Sequence, residues 1–384
     1  MALPVLATVV AAGILLMSGS RPTDLEIYRW GGGLLLSGDS LYAGVNFKRG
    51  LPFTYPPFAA VLFTVLAVVP LWLAAIGWAG LSVAAATRTC VLLGRRLGTD
   101  SRQVAVATAA LLGCLAVWEP TSATLSYGQI NFFLLWLVVE DRFGSVPERC
   151  RGALTGVAAG IKVVPGIFIA YDLVAGRRRS AAVATCSFLA TVVASAGVAL
   201  SDTVRFWSLL VFDAPRTGDP WYSGNQSILG ALARLSGQWP STPVWVAICA
   251  TLTGLGLTVA ARWHRRGYPV LGAGLTALVM LLAAPITWSH HWVWALLLVA
   301  GVVEARREWL GAPLVVGALV LVLSSRLIWA PPHGYDFELD HSAGEVILAS
   351  LYVLLGIAVL LAASVSTLRW SEHRARRPSL TSAR

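Results

Sequence analysis

The sequence is short of charge and of the motifs that mark soluble enzymes. Only 12% of its 384 residues are charged, against 57% that are hydrophobic, and no polar stretch between the apolar runs is long enough for a separate soluble domain. It contains no GxGxxG fingerprint, no P-loop, no Ser-His-Asp pattern and no zinc-ligand spacing. The sequence therefore carries no motif that indicates a nucleotide-binding protein, a serine hydrolase or a zinc enzyme.

Cysteine and lysine are also scarce. The five cysteines lie far apart and mostly inside apolar runs, so the sequence predicts small buried side chains and no metal site. Lysine occurs only at Lys48 and Lys162. The net charge of +10 therefore comes from arginines, which fall in short clusters between apolar runs. That distribution is typical of a membrane protein with basic cytoplasmic loops, and it argues against nucleic acid as a partner.

Long apolar runs make up most of the chain. Many approach the roughly 20 residues that a helix needs to cross about 30 Å of hydrocarbon. The sequence predicts an all-α polytopic membrane protein with one integral membrane domain over residues 1–384, built from about ten spanning helices and two half-helix or re-entrant elements. The twelve predicted apolar elements lie near residues 3–18, 57–69, 70–94, 103–118, 127–140, 152–172, 181–200, 243–261, 269–287, 290–303, 311–329 and 343–367.

Two of these elements differ from ordinary spans. Residues 58–69 are too few to cross and are followed by Pro70, and residues 152–172 are interrupted by Lys162 and Pro165 between two arginine clusters. A re-entrant hairpin with both ends in the cytoplasm keeps both clusters inside. The alternative is an alternation of twelve full spans, which would export six of the arginines.

The hairpin topology orients the rest of the chain. Both termini then lie inside, and residues 368–384 form a basic cytoplasmic tail. The acid-containing loops at 19–56, 201–242 and 330–342 lie outside. The sequence therefore predicts a multi-pass plasma-membrane protein whose polar motifs converge on the extracytoplasmic face.

Residues 19–56 form the most polar of these loops and the predicted catalytic loop. Asp24 follows the first apolar run directly, where its carboxylate can reach a substrate hydroxyl and serve as a catalytic base. The alternative is that Asp24 caps a short amphipathic helix that begins near Leu25. Glu26 is expected to be solvated or paired with an arginine.

Lys162 is the clearest candidate for binding an anion. An ionisable residue at membrane depth is costly and usually lines a polar cavity, and a broken helix beside it suits a phosphate. The alternative is that Lys162 snorkels to a headgroup. His290 and His291 point about 100° apart if helical, so they cannot readily chelate one metal. We expect one ring to face the cavity and the other to pack beside Trp288 or Trp292; which ring does which is open.

Two amide-rich patches complete the candidates. Gln129 and Asn131 open one apolar run, and Asn225 and Gln226 lie in the 201–242 loop. Their amides suit sugar hydroxyls, and tryptophans such as Trp288 can stack on sugar faces. The alternative is that these residues cap helices and belong to an interfacial aromatic belt.

Five segments together carry a resemblance to a known family. They are DLEIYRWGG with LPFTYPPFAAVLF, SYGQINFFLL, GVAAGIKVVPGIFIAY, GNQSILGALARL and PITWSHHWVW. In this order they resemble the actinobacterial polyprenyl-phosphate-mannose-dependent α-1,2-mannosyltransferases, glycosyltransferase family 87 of the GT-C superfamily. The resemblance implies a GT-C-like bundle, a polyprenyl-phospho-mannose donor, and an acceptor among phosphatidylinositol mannosides, lipomannan and lipoarabinomannan. The segment before Asp24 is short for the family, which indicates a shorter paralogue or a start further upstream.

The resemblance also implies roles for particular residues. Asp24 matches the general base of an inverting transfer, Lys162 matches an element that approaches the donor phosphate, and one of His290 and His291 matches a histidine that family members need for activity. Apart from the resemblance, we expect Arg29, five residues after Asp24, to help Lys162 and a histidine hold the charge of the donor phosphate. The remaining candidates for binding substrate are Tyr28, Tyr55, Gln129, Asn131, Asn225, Gln226 and Trp288. No metal or cofactor is expected, because the cationic side chains can hold the charge of the phosphate.

Two other classes of function remain open at this point. A transporter or flippase for a lipid-linked sugar could use Lys162 and Asp24 as binding or gating charges, and an inverted repeat would favour it, but none is visible. A non-catalytic scaffold subunit would leave the concentration of polar residues on one face unexplained.

Overall fold

A computed structural model describes residues 22–309 and 311–375, with side chains described up to residue 367. This part of the chain is helical and contains two isolated β-bridges but no named strand. The predicted element 3–18 and residues 376–384 of the predicted tail lie outside the described residues. The helices are α1 (Thr23–Ser37), α2 (Pro57–Ala67), α3 (Leu71–Leu97), α4 (Ser101–Val117), α5 (Glu119–Tyr127), α6 (Asn131–Phe143), α7 (Ala153–Ile161), α8 (Ile167–Val174), α9 (Arg178–Ala196), α10 (Leu200–Ser208), α11 (Ile228–Ser236), α12 (Thr242–Arg265), α13 (Pro269–Ala283), α14 (Ala295–Glu304), α15 (Ala312–Ser325), α16 (Ala343–Ala349) and α17 (Leu351–Ala375).

Several of these helices have the length and composition of membrane spans. Four segments are each long and apolar enough to cross a membrane, namely α3, α9, α12 and residues 312–329. Two pairs of helices, each bent by 70°, are long and apolar enough when counted together: α4 with α5, and α16 with the part of α17 up to Thr367. The described residues thus contain four to six candidate spans. The predicted helical membrane architecture is confirmed at this level. Helices α2 and α13 are apolar but shorter, so the count of about ten spans stays a prediction.

Residues 152–174 form a broken helix whose two ends meet. The backbone N–H of Gly152 donates to both carboxylate oxygens of Asp141, at 3.0 and 2.9 Å. At the other end Asp172 forms a buried salt bridge with Arg142, with 2.9 Å between Nη1 and Oδ1. Because Asp141 and Arg142 are neighbours at the end of α6, the segment leaves and returns at the same place. This is the geometry of a hairpin.

The tip of the hairpin lies beside the opposite end of α6. Helix α7 ends where Lys162 turns to an extended conformation, and Pro165 follows in a short 3-10 turn before α8 begins. The Lys162 ammonium lies 3.4 Å from the side-chain oxygen of Asn131, the first residue of α6. Since α6 rises about 1.5 Å per residue, the tip is roughly 16 Å from the base. The broken helix thus carries one lysine deep along α6.

The predicted loop 19–56 contains a 15-residue helix, α1, which runs through its three glycines. A Cβ at Gly32 would lie 2.4 Å from the carbonyl oxygen of Phe63 in α2, so the missing side chain is what allows the two helices to touch. Tyr28, one turn earlier, stacks on the Phe63 ring with 4.4 Å between centroids. The close contact fixes the direction of α1 and therefore the position of Asp24 at its start.

We predict that Gly32→Ala destabilises the protein by about 1–3 kcal/mol, because the added methyl group must push α1 away from α2. Gly33→Ala is the matched control, since nothing lies within 4 Å of a Cβ at that position. The control should be neutral or stabilising by about 0.5–1 kcal/mol, as alanine favours a helix over glycine. Thermal unfolding of the two purified variants measures both effects. Equal melting temperatures would contradict the close contact.

Candidate active site

One cavity of about 260 Å³ collects polar side chains from distant parts of the chain. It lies between the start of α1, the tip of the hairpin, the segment after α10 and the turn that precedes α14. Its polar lining residues are Asp24, Thr54, Tyr55, Gln129, Lys162, Asp213, Arg216, Thr217, Trp288 and His291. The predicted catalytic base, Asp24, and the predicted anion-binding residue, Lys162, both line this cavity.

Asp24 lies in the first turn of α1, but it is not the helix cap. Pro22 occupies the N-cap position, and no side chain caps the helix. The Asp24 carboxylate forms a hydrogen bond with the Gln129 side chain. Burial raises its pKa to about 6, while that hydrogen bond and the positive charge of Lys162 act in the opposite direction. A carboxylate of this kind is a stronger base than a solvated one and is ionised at neutral pH.

Gln129 is held in place by a glycine and by two tyrosines. Gly128 ends α5 with φ at +68°, and a Cβ there would lie 2.9 Å from the side chain of Leu25. The Tyr28 hydroxyl donates to Oε1 of Gln129 at 3.0 Å, and it lies 2.8 Å from the Tyr55 hydroxyl. Tyr28 is fully buried and does not line the cavity, whereas Tyr55 and Gln129 do. The predicted contact of Tyr28 with substrate is thus replaced by a contact with two residues of the lining.

Lys162 lines the cavity. Its ammonium lies 2.8 Å from Nε2 of His291 and 5.5 Å from the centroid of the Tyr55 ring. Because an ammonium can only donate, His291 must accept at Nε2, and a neutral ring then carries its proton on Nδ1. No carboxylate of the described chain forms a salt bridge with Lys162 within 4 Å. The arrangement leaves a positive charge facing the cavity.

The two histidines have different surroundings. His291 lines the cavity, whereas His290 is buried against Tyr127, with 5.6 Å between the ring centroids. The backbone carbonyl of His290 accepts hydrogen bonds from Thr124 at 3.0 Å and from the Asn131 amide at 3.1 Å. The structure therefore brings His291 to Lys162 and keeps His290 behind it. The expected partner of the second ring, Trp288 or Trp292, is replaced by Tyr127.

Arg29 is not part of this site, contrary to the prediction that it contacts the donor phosphate. It is absent from the cavity lining, and its guanidinium donates to the backbone carbonyls of Leu66 and Val69. These carbonyls belong to the end of α2 and the turn behind it, where orphan acceptors attract a cation. Glu26 lies on the same turn of α1 and pairs with Arg49 at 2.7 Å, as the expectation of an arginine partner allows.

Asn225 and Gln226 are also outside the cavity lining, although the sequence suggests that they bind sugar. Asn225 accepts from the N–H of Thr287 at 2.9 Å and donates to the carbonyl of Pro285 at 3.3 Å. Gln226 donates to the carbonyl of Ala349 at 2.6 Å. Both side chains are fully buried. The Asn225 amide satisfies the backbone of the turn that leads to Trp288 and His291, whereas the Gln226 amide satisfies the carbonyls of Ser223 and Ala349. Their effect on the site is therefore indirect.

Arg216 is a lining residue that the sequence does not single out. Its guanidinium donates to the carbonyls of Phe53 at 3.1 Å and Thr54 at 3.0 Å. It also lies over the rings of Tyr42 and Phe206, at 5.5 and 5.6 Å. It holds the segment that carries Tyr55. Arg216 is one of three arginines in the 201–242 loop, and no periodic pattern around it distinguishes it from the other two.

The described residues contain no group of three or more histidine, cysteine, aspartate or glutamate side chains that could hold a metal ion. The cavity lining includes two cationic side chains, the Lys162 ammonium and the Arg216 guanidinium. Lys162 faces His291 and Asn131 on one wall, and Arg216 belongs to the segment after α10. Among the described residues, the site can attract an anion through Lys162 and accept a proton through Asp24.

The fold was compared with solved structures and the sequence with curated proteins. A crystal structure of ArnT from Cupriavidus metallidurans bound to undecaprenyl phosphate has a TM-score of 0.43 and 17% sequence identity, covering 95% of this chain and 77% of that one. Apo ArnT from the same organism has a TM-score of 0.41.

Curated relatives are more similar in sequence. A polyprenol-phosphate-mannose-dependent alpha-(1-2)-phosphatidylinositol mannoside mannosyltransferase of Mycolicibacterium smegmatis is 34% identical over 372 residues, covering 88% of this chain and 82% of the relative. Its namesake from Mycobacterium tuberculosis is 30% identical over 381 residues, covering 94% and 88%. A pentamannoside mannosyltransferase of the same dependence from M. tuberculosis is 34% identical over 321 residues, covering 80% and 72%. Glycosyltransferase family 87 itself matches residues 53–285. The chain thus belongs to glycosyltransferase family 87 and is a glycosyltransferase.

Proposed function

We propose that this chain transfers mannose from polyprenyl-phosphate mannose to a phosphatidylinositol mannoside or a related lipoglycan, with α-1,2 linkage. The names of its relatives support this donor and this class of acceptor. The observation that carries the proposal is the shared cavity of Asp24 and Lys162, which combines a base with an anion site. The membrane-type helices around it suit two lipid substrates.

The donor phosphate is assigned to Lys162 and His291. The ammonium has no carboxylate in salt-bridge contact within the described chain, so its charge is available to a ligand. The donor phosphate is a diester between a long isoprenoid and the sugar. It gains negative charge as its bond to the sugar breaks and the isoprenoid phosphate monoester leaves, and fixed cations and hydrogen-bond donors stabilise that charge. His291 accepts from Lys162 at 2.8 Å and so holds the ammonium in position. The proposal needs no metal or cofactor, because side chains supply the charge.

The acceptor hydroxyl is assigned to Asp24. Its oxygen attacks the anomeric carbon from the face opposite the phosphate, so that the new glycosidic bond forms as the bond to the phosphate oxygen breaks. The electron pair leaves with polyprenyl phosphate, and the hydroxyl proton passes to the Asp24 carboxylate. A β-linked donor then gives an α-mannoside. Polyprenyl phosphate is a good leaving group, so a general acid is not required.

We assign the cavity to the extracytoplasmic side of the plasma membrane. The base of the hairpin carries Arg142, Arg151 and Arg177, of which Arg177 lies 3.8 Å from Asp172. Basic residues favour the cytoplasmic side, and the cavity lies at the other end of α6. The proposed orientation has about ten spanning segments and the hairpin, of which four to six are candidate spans by length and composition among the described residues. Membership of a glycosyltransferase family favours transfer over transport of the lipid-linked sugar.

Loss of the base should abolish turnover. In a strain that lacks the protein, we expect mass spectrometry of extracted lipids to show one lipid glycan that is short of one hexose. The wild-type gene should restore the hexose, and Asp24→Asn should not, because an amide cannot accept the proton. Purified Asp24→Asn should still bind polyprenyl monophosphate. Restoration of the hexose by the Asn variant would contradict the assignment of the base.

The pH dependence should report the ionisation of Asp24. Only the carboxylate can accept a proton, and its pKa is about 6, so kcat/KM should be half-maximal near pH 6 and constant at higher pH until another group titrates. Below pH 6 it should fall about tenfold per pH unit. Because the charge of Lys162 lowers the pKa of Asp24, Lys162→Met should move this acidic limb to higher pH. An unchanged limb would show that the two groups do not interact.

The two histidines should differ in their effect on the donor site. His291→Phe removes the acceptor of Lys162 and should weaken the binding of polyprenyl monophosphate roughly 10- to 100-fold, as expected for a lost hydrogen bond to a charged group. His290→Phe is the matched control, since its ring packs on Tyr127 and its Nε2 has no hydrogen-bond partner among the described residues. Binding titrations of both variants measure the difference. A greater loss in the His290 variant would reverse the assignment.

A further inference from the structure

A buried carboxylate lies behind the cavity and is not used by the proposed chemistry. Glu119 begins α5 at the bend after α4 and is 6% exposed. It accepts hydrogen bonds from the Ser289 hydroxyl at 3.0 Å, the Trp329 indole at 3.1 Å and the Tyr352 hydroxyl at 3.1 Å. None of the five salt bridges of the described residues includes it. Three neutral donors from three separate segments therefore hold this carboxylate.

The same stretch of chain also holds the residue after Ser289. Thr124, on the same helix as Glu119, donates its hydroxyl to the backbone carbonyl of His290 at 3.0 Å, and the Asn131 amide donates to that carbonyl at 3.1 Å. The next residue, His291, is the one that contacts Lys162. Ser289 and His290 are thus both held by hydrogen bonds to residues 119–131, and the next residue, His291, carries the ring that contacts Lys162.

We infer that Glu119 is a positioning residue of the transfer reaction, which fastens the Ser289–His291 turn so that His291 holds the Lys162 ammonium towards the donor phosphate. The inference rests on the proposed function. Glu119 does not line the cavity, so it acts through Ser289 and not on the substrate. Trp329 donates to the same carboxylate oxygen as Ser289, and Tyr352 donates to the other oxygen, so together they fix the direction of the carboxylate.

A carboxyl side chain suits this task because its two oxygens offer about four lone-pair positions and can accept several hydrogen bonds at once. One side chain can therefore join three segments that are 170, 210 and 233 residues away along the chain. The turn at Ser289 has only a short 3-10 helix of its own, so it depends on such external contacts.

The test compares three variants of the full-length protein. Glu119→Ala removes all three contacts and should lower kcat and weaken the binding of polyprenyl monophosphate, each about 10- to 100-fold, as a displacement of about 1 Å in a site can do. Ser289→Ala removes only the link to the histidine turn and should lower both by a smaller factor. Glu119→Gln should remain within about threefold of the wild type, because its oxygen can accept from Ser289 and Trp329 while its amide donates to Tyr352.

The matched control is Glu304→Ala. Glu304 is another carboxylate that receives two hydrogen bonds inside the bundle, from the N–H groups of Val270 and Leu271. It caps the end of α13 that is remote from the cavity, so its loss should lower the melting temperature and leave kcat and phosphate binding unchanged. The inference is overturned if folded Glu119→Ala or Ser289→Ala behaves as the wild type. It is equally overturned if Glu119→Gln loses as much as Glu119→Ala, since charge and not attachment would then matter.

The two readouts separate this inference from the proposed function. If the wild type binds polyprenyl monophosphate but transfers no mannose, the proposed donor or acceptor is wrong, while the effect of Glu119→Ala on binding still tests the positioning role. If Glu119→Ala does not unfold at a lower temperature than Glu304→Ala yet binds the phosphate more weakly, the loss comes from the site and not from the stability of the bundle. Should the Ala variant fail to fold, Ser289→Ala and Glu119→Gln decide the question alone.

Discussion

An ammonium group inside an apolar bundle has to find partners in the protein, and that requirement shapes the centre of this molecule. Lys162 lies at the tip of the hairpin, beside the cavity, where His291 and Asn131 contact it. A continuous helix through this point would have left a charged side chain among apolar neighbours. The break at Lys162 and the turn around Pro165 instead place the charge at a polar wall. The other polar contacts of the cavity surround this charge.

The base of the hairpin is held by charge as well, although nothing there faces the cavity. The Arg142–Asp172 pair has both side chains 2% exposed, and the neighbouring Asp141 accepts from the backbone of Gly152. Removing one partner of such a buried pair typically costs about 3–5 kcal/mol, because the other charge is left uncompensated. The hairpin can therefore neither unwind nor slide easily along α6. Because the two ends of the hairpin are held in this way, the position of Lys162 at the hairpin tip is fixed for a ligand.

On the opposite wall, close packing takes the place of charge. Helix α1 approaches α2 through Gly32, and the tyrosine Tyr28 fills the space beside it and reaches Gln129. Asp24 is then held at the start of α1, partly buried and hydrogen-bonded. Burial makes the carboxylate more basic, and the nearby ammonium keeps it ionised at neutral pH. Burial in one wall and the Lys162 ammonium in the other thus together set the pKa of Asp24.

Sequence patterns were sufficient for several features, and their limits have physical causes. The apolar runs, the broken element at Lys162 and the candidate pair of Asp24 and Lys162 follow from hydropathy and from the rarity of charge. Neither hydropathy nor the rarity of charge shows that Arg29 points to the end of α2. A helix presents charged side chains in many directions, and the neighbouring helices decide which partners they meet. The sequence likewise could not tell whether the amides of Asn225 and Gln226 bind a sugar or satisfy backbone groups. Buried amides that satisfy backbone groups have the same composition as amides that bind sugar.

The sequence by itself determined the helical membrane architecture and singled out Asp24 and Lys162 as candidates, because burial of long apolar runs and the cost of an isolated charge are properties of local composition. The tertiary structure alone decided that His291 is the histidine that meets Lys162, and that Glu119 accepts hydrogen bonds from Ser289, Trp329 and Tyr352. These contacts join residues up to 233 positions apart. Their direction depends on how helices pack, which no local pattern records.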